Sequence, residues 1–153
     1  MTIRNREGKL IHESDDFGNF SDLDLPNAVF AGMPLQGANF CDSNLSGADF
    51  RGADLYWSIF FLANLTEADF EGAQLQGADL KQVNLTNANL RNANLGRDNL
   101  RGSTQLQGAN LVGTNLQGAK LEGAEYDTNT IFPDGFDPAK NGLLFKEKSS
   151  TPD

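Results

Sequence analysis

Residues 36–55 read QGANF, CDSNL, SGADF and RGADL, four blocks of five that each close on a Leu or a Phe. Upstream the same beat runs back through Leu35, Phe30 and Leu25 to Phe20, and downstream it runs through Phe60, Leu65, Phe70, Leu75, Leu80, Leu85, Leu90 and Leu95 to Leu100. After one extra residue it resumes at Leu106 and continues through Leu111, Leu116 and Leu121 to Tyr126. Repetition on this scale decides the architecture before any propensity does. Five residues on an α-helix advance about 500°, so the large side chains would step about 140° each time and smear round the cylinder. On a continuous strand, positions five apart point to opposite faces, which would put alternate leucines in water. Both regular structures are excluded. What remains is a chain that turns once per block and brings every fifth residue back to the inside.

The flanking positions agree. Two residues before the large one stands a small one, usually Ala (Ala38, Ala48, Ala53, Ala63, Ala68), which a two-residue alternation also points inward. Between them lies an outward polar residue, most often Asn or Asp. Two residues after the large one, Gly is commonest (Gly37, Gly47, Gly52, Gly72, Gly77), where a type II turn needs a positive φ that Gly adopts freely and Asn tolerates. Written as A-(N/D)-(L/F)-x-G in tandem over about residues 18–126, the pattern resembles the pentapeptide-repeat family. That resemblance implies an all-β fold, a right-handed quadrilateral β-helix with four pentads per coil, hence about five coils here. The stretch from Tyr126 to Gly142 is also similar to the ending of many cyanobacterial members.

If four pentads close a coil, residues 20 apart stack, and the large residues sort into columns. Phe20, Phe40, Phe60, Leu80, Leu100 and Leu121 form one, and Phe30, Phe50, Phe70, Leu90 and Leu111 form the opposite one. The two remaining columns are leucine. Phe is thus confined to two opposing faces of the N-terminal half, which predicts a packed aromatic ladder. The single extra residue before Leu106 predicts a small bulge around Arg101 to Thr104. Outside, Arg51, Glu71 and Arg91 would stack as alternating charges, and Asn44, Asn64 and Asn84 as an amide ladder. The organisation expected is an N-terminal cap over 1–17, the repeat body over 18–126, a C-terminal cap over 127–145 and a polar tail over 146–153.

Composition narrows the function classes. The 153 residues are 39% hydrophobic with a net charge of -9, which argues against nonspecific nucleic-acid binding and against an anionic membrane surface. No apolar run approaches a membrane span, and the N-terminus lacks the apolar stretch of a signal peptide, so a cytoplasmic location is expected. Cys41 is the only cysteine and His12 the only histidine. No catalytic residues, no cofactor and no metal site are therefore expected. Asp49 and Asp69, one coil apart, read as a solvated acidic face.

Two features remain. In Tyr56, Trp57, Ile59, Phe61 and Leu62, apolar side chains take slots that are elsewhere outward and polar, or glycine. Such an island is either a protein-interaction patch or a surface covered by a terminal segment such as Ile3 to Phe17. Charge is also polarised along the axis. Residues 42–79 set seven carboxylates against Arg51 alone, whereas 80–101 set Lys81, Arg91, Arg97 and Arg101 against Asp98. The expected function is a non-enzymatic scaffold that binds an unknown protein partner, itself a monomer or weak homodimer. The alternative, implied by the resemblance, is a DNA mimic acting on a type II topoisomerase (gyrase), which requires negative charge sustained along the rod.

Overall fold

The computed structural model describes residues 1–147. The polar tail expected over 146–153 therefore lies, from residue 148 onward, outside the described residues.

Each pentad makes the same local turn. The carbonyl of a large residue accepts a hydrogen bond from the residue three positions later, as from Ala53 N–H to Phe50 O at 3.0 Å and from Ala63 N–H to Phe60 O at 2.9 Å. The second turn residue has positive φ, 62° at Gly52 and 69° at Gly72. The outward Asn or Asp also has a role that composition alone does not disclose. Its side-chain oxygen accepts the N–H two residues on, as in Asn39 to Cys41 at 3.0 Å and Asp69 to Glu71 at 3.0 Å. This local bond fixes the start of the turn and explains why the slot favours short side chains with an acceptor oxygen.

Coils stack through one parallel bridge per pentad. Asn19, Asn39, Ile59 and Asp79 bridge in series at intervals of 20 residues, as do Asp24, Asn44, Asn64 and Asn84. Four pentads therefore make one coil. Among the described residues regular strands occur only near the ends: β1 (Thr2–Arg4), β2 (Leu10–Glu13), β3 (Glu125–Tyr126) and β4 (Leu144–Phe145). β1 and β2 form an antiparallel hairpin, and β3 and β4 pair in parallel.

The interior is filled by side chains. Phe20, Phe40 and Phe60 stack at centroid distances of 4.8 and 4.7 Å, and Phe30, Phe50 and Phe70 at 4.9 and 4.8 Å. The two stacks meet edge to face, with Phe40 and Phe50 at 5.5 Å and 89°. Rings in register at the coil spacing leave no ligand cavity between them and use both favourable aromatic geometries.

The slip is larger than the sequence indicates. Asp79 bridges Gln105 where the regular period would have brought residue 99, and Asn84, Asn89 and Asn94 are displaced in the same way onto Asn110, Asn115 and Lys120. Six extra residues, a full pentad plus one, leave the wall at 98–103, within a loop over 96–103. Leu100, expected in the core column of Phe60 and Leu80, is 83% exposed at this loop. Leu106 takes its place beneath Leu80, and Leu111, Leu116 and Leu121 each move to the next column. The expected bulge at Arg101 to Thr104 is corrected accordingly.

The expected Arg51, Glu71 and Arg91 ladder is also replaced. Arg51 folds back on its own pentad, with Nη2 at 2.6 Å and Nε at 2.9 Å from the two oxygens of Asp49, and Nε at 3.9 Å from Asp69. The amide ladder forms in part: Asn64 donates to Asn44 at 3.1 Å and Asn44 to Asp24 at 2.6 Å, while Asn84 instead accepts from Thr86.

At the N-terminal end the hairpin pairs with the first coil. Asn5 bridges Ala28, Val29 N–H donates to Arg4 O at 2.8 Å, and Ile3 is buried. At the other end Leu143 is buried, and Tyr126 meets Phe132 and Phe145 at 5.4 and 5.5 Å.

Candidate interaction surface

The five island residues lie in one coil, along the pentad that carries Phe60 and the two corners beside it. Tyr56 and Trp57 form the corner before this pentad, Ile59 occupies its outward slot, and Phe61 and Leu62 form the corner after it. Trp57, Ile59 and Leu62 are 47%, 37% and 44% exposed, while Tyr56 and Phe61 are half-buried. Phe60 between them is fully buried, so the inward beat continues under the island undisturbed.

Three of these residues depart from the local chemistry that most pentads use, as do Glu67 and Gln82 at their corners (φ 59° and 56°) and Val29 and Pro34 in the outward slot. Trp57 and Leu62 hold φ at 58° and 61°. Left-handed backbone crowds any Cβ and costs roughly 1–2 kcal/mol relative to Gly, with Asn intermediate. Ile59 has no oxygen to accept the Phe61 N–H, so this pentad lacks the bond by which Asp79 Oδ1 accepts the Lys81 N–H at 3.0 Å one coil below. A bond of that kind contributes about 1 kcal/mol.

Trp57 is accommodated because its neighbours are glycines. A Cβ on Gly77, the equivalent corner residue one coil on, would lie 2.9 Å from the indole, and one on Gly102 would lie 2.3 Å from it. The indole therefore lies flat over Gly77 and meets the loop at Gly102. The same device recurs where Asn27 overlies Gly47, Asn87 overlies Gly113 and Arg97 overlies Gly123.

The loop itself is gathered round Asp98. Its Oδ1 accepts the Leu100 N–H at 2.9 Å and also the Gly102 N–H, while Asp98 N–H donates to Gly102 O at 3.0 Å. The carboxylate is turned inward, 8% exposed, with Oδ2 free of any partner. Consequently the charges this loop displays are Arg97 and Arg101, neither of which forms an ion pair among the described residues.

Of the two alternatives for the island, a cover by a terminal segment such as Ile3 to Phe17 is not what the structure shows. That segment is engaged at the first coil, through Arg4 and Asn5 with Val29 and Ala28, and His12 lies edge-on to Phe20 at 6.2 Å. The 96–103 loop is the element that touches Trp57. Sequence reasoning missed this contact; Gly77 and Gly102, together with the Asp-Asn-Leu-Arg-Gly run, were the signal.

Elsewhere, Asp49 and Asp69 are brought together by Arg51, and the hydrogen bond from that guanidinium, more than its charge alone, holds the Asp49 carboxyl below its usual range despite burial. Burial, reinforced by Asp42 and Asp79, pushes the Cys41 thiol up, so it is a poor nucleophile. Among the described residues no group of three His, Cys, Asp or Glu side chains is placed to hold a metal ion, and no helix is long and apolar enough to cross a membrane.

Comparison with known proteins gives a consistent family picture. The pattern described as pentapeptide repeats matches in eight copies over residues 19–60, 63–102 and 103–125. A pentapeptide repeat protein from Nostoc Pcc 7120 is 42% identical, with 74% of this chain and 84% of that one aligned and a TM-score of 0.42. One from the Arabidopsis thaliana thylakoid lumen is 36% identical over 71% of this chain and 68% of its own, with a TM-score of 0.51. One from the cyanobacterium Cyanothece 51142 is 31% identical over 74% and 87%, with a TM-score of 0.48. No curated protein matches the chain.

Proposed function

The chain belongs to the pentapeptide-repeat family, and we propose that it works as a non-enzymatic scaffold whose protein-binding site is the island of Tyr56, Trp57, Ile59, Phe61 and Leu62. One observation carries this reading. At Trp57, Ile59 and Leu62 the chain forgoes backbone comfort or a turn bond that Gly, Asn or Asp provides in most pentads, and here alone the departures cluster in one pentad with large apolar side chains that remain substantially exposed. Departures from local consistency whose side chains stay about half exposed point to function more than to folding. Trp and Tyr supply large rigid contact area at low entropic cost, which is what an anchor at an interface requires.

The same reading takes the coil to be right-handed and four-sided, about five turns deep between its two caps. The 20-residue bridge interval supports the four sides. A cytoplasmic location is part of the proposal, although the plant relative is a thylakoid-lumen protein.

Gyrase-directed DNA mimicry is the weaker alternative. Asp49 is buried and neutralised by Arg51, and Lys81, Arg97 and Arg101 interrupt the acidic stretch within the next two coils. A mimic needs an unbroken line of carboxylates to reproduce a phosphate backbone. Affinity capture from the native cytosol with wild type and Trp57→Ala tests the scaffold reading: a protein retained by the first and lost by the second is expected. Equal recovery by both would refute the site. A gyrase supercoiling assay is expected to show no inhibition, and dose-dependent inhibition would favour the mimic.

A further inference from the structure

Along the corner that carries Trp57, small and large residues alternate from coil to coil. Gly37, Trp57, Gly77, Arg97 and Gly123 each stand three residues after the serially bridged Pro34, Asp54, Gln74, Asn94 and Lys120, so they form one column. Each large member lies on the glycine below it. A Cβ on Gly77 would meet the indole at 2.9 Å, and a Cβ on Gly123 would meet Arg97 Nε at 3.0 Å. The backbones of Trp57 and Arg97 are therefore two coils apart on one corner, about 10 Å. The loop that leaves the wall after Arg97 returns to the indole at Gly102. Beside that contact it displays Leu100, 83% exposed, and Arg101, an exposed side chain on a backbone with φ at 66°. Charge here runs against the rest of the chain, which has 21 acidic residues to 12 basic ones. The loop's own carboxylate, Asp98, is buried and holds the Leu100 and Gly102 N–H groups. Lys81, the other cation near the island, is matched by Asp79 at 3.3 Å, whereas Arg97 and Arg101 pair with no carboxylate among the described residues, exposed Glu122 one coil below included.

We infer that the occupant of this surface is an acidic segment of a partner protein, which seats an apolar side chain against Trp57 and Leu100 and sets carboxylates on Arg97 and Arg101. The inference rests on the interaction-site reading above and names the chemistry of the partner. It makes the loop part of the site: the inserted residues carry Leu100 and Arg101 to the lower edge of the indole. A guanidinium matches a carboxylate with two parallel N–H donors, and charge beside an apolar anchor fixes the orientation of the docked segment. That orientation has one sense here, because exposed Asp42 stands above Leu62 and turns the acidic part of the segment toward the loop. A basic segment would meet both arginines with like charge. A nucleic acid, the other polyanion that arginines hold, would be opposed by the net charge of -9.

Selection of a phage-displayed library of random peptides on the wild-type protein tests this, followed by fluorescence anisotropy of labelled synthetic copies of the peptides recovered. Those peptides are expected to join a Leu or aromatic residue to Asp or Glu more often than the unselected library does, and to bind more weakly as salt rises. Arg97→Glu with Arg101→Glu should weaken binding about tenfold, and removal of residues 98–103 should weaken it at least as much. Lys9→Glu, on the N-terminal hairpin, should leave it unchanged. Recovered peptides without acidic enrichment, or acidic peptides that bind the double reversal as tightly as wild type, would overturn the inference. If the peptides are indifferent to charge yet lost with Trp57→Ala, the acidic-partner inference fails while the site reading stands. If they bind regardless of Trp57, or if none is recovered, both fail.

Discussion

Phe60 and Phe61 are neighbours in sequence and answer to different physics. Phe60 sits in the aromatic stack, fully buried, at 4.7 Å from Phe40 and 6.0 Å from Phe70. Phe61 sits half-buried at a corner where other pentads carry Arg51, Glu71 or Lys81. The inner wall is a closed packing problem in which each residue is determined by those 20 before and after it. At the outer corners, backbone geometry favours Gly or Asn at the second turn residue, and anything larger has to be tolerated by a neighbour. The island shows that the wall can be kept while the corner is put to another use.

The sharpest break of this contrast is a pair of truncations that the five-residue beat would treat alike. Phe50→Ala removes a ring packed on three sides and is expected to cost about 3–5 kcal/mol, whereas Leu100→Ala, on the exposed loop, should change stability by less than about 0.5 kcal/mol. Urea denaturation of both measures the difference directly.

A smaller effect is expected where loop and island touch. Gly102→Ala would place a Cβ 2.3 Å from the Trp57 indole and 2.7 Å from Asp98 Oδ2, so the loop must lift. A loss of about 1–3 kcal/mol is expected, and the emission of Trp57 should shift to the red as its lower edge is uncovered. An unchanged emission maximum would show that the contact is not made in solution.

Acid should act through Asp49. Its folded-state carboxyl is held below the ordinary value by the hydrogen bond from Arg51, so the stabilisation is fully present above the ordinary carboxylate pKa of about 3.9 and is lost as pH falls through the lower folded value. Arg51→Gln should therefore flatten the decline of the melting temperature between about pH 4 and pH 2. An identical profile in wild type and variant would remove the pair from the acid response.

The smallest change is expected from the largest edit. Removing residues 98–103 joins Arg97 to Thr104 and restores the 20-residue interval from Asp79 to Gln105. The wall should close with stability within about 1 kcal/mol of wild type, because short surface loops contribute mainly closure entropy. Failure to fold would show that the loop is needed for register.

The wall was legible because its signal is periodic. Turn, inward Ala and inward Leu or Phe repeat so often that local exceptions do not blur them. The position at which the chain leaves the wall was not legible, for an arithmetic reason. A beat of five reports register only modulo five, so an insertion of six residues reads as an insertion of one, and the family pattern likewise runs through the loop to residue 102 before its next match begins at 103. Leu100 keeps the beat in sequence and loses it in space. The partner of Arg51 was missed because Asp49 Oδ1 accepts the Arg51 N–H at 3.1 Å and draws the two residues together within one turn, nearer than Glu71 one coil away. The island was visible as a break in composition. That Trp57 shares its lower edge with the loop was not, since it depends on Gly77 and Gly102 together.

The central claim is that Ile59 and Leu62 are there for a surface and not for the fold. Equilibrium denaturation of the Ile59→Asn/Leu62→Asn double variant tests it most directly, since Asn at 59 supplies the missing acceptor for the Phe61 N–H and Asn at 62 tolerates the 61° φ. The account predicts a stability equal to wild type or up to about 1 kcal/mol higher. A loss of more than about 2 kcal/mol, the scale of removing a packed core side chain, would contradict it.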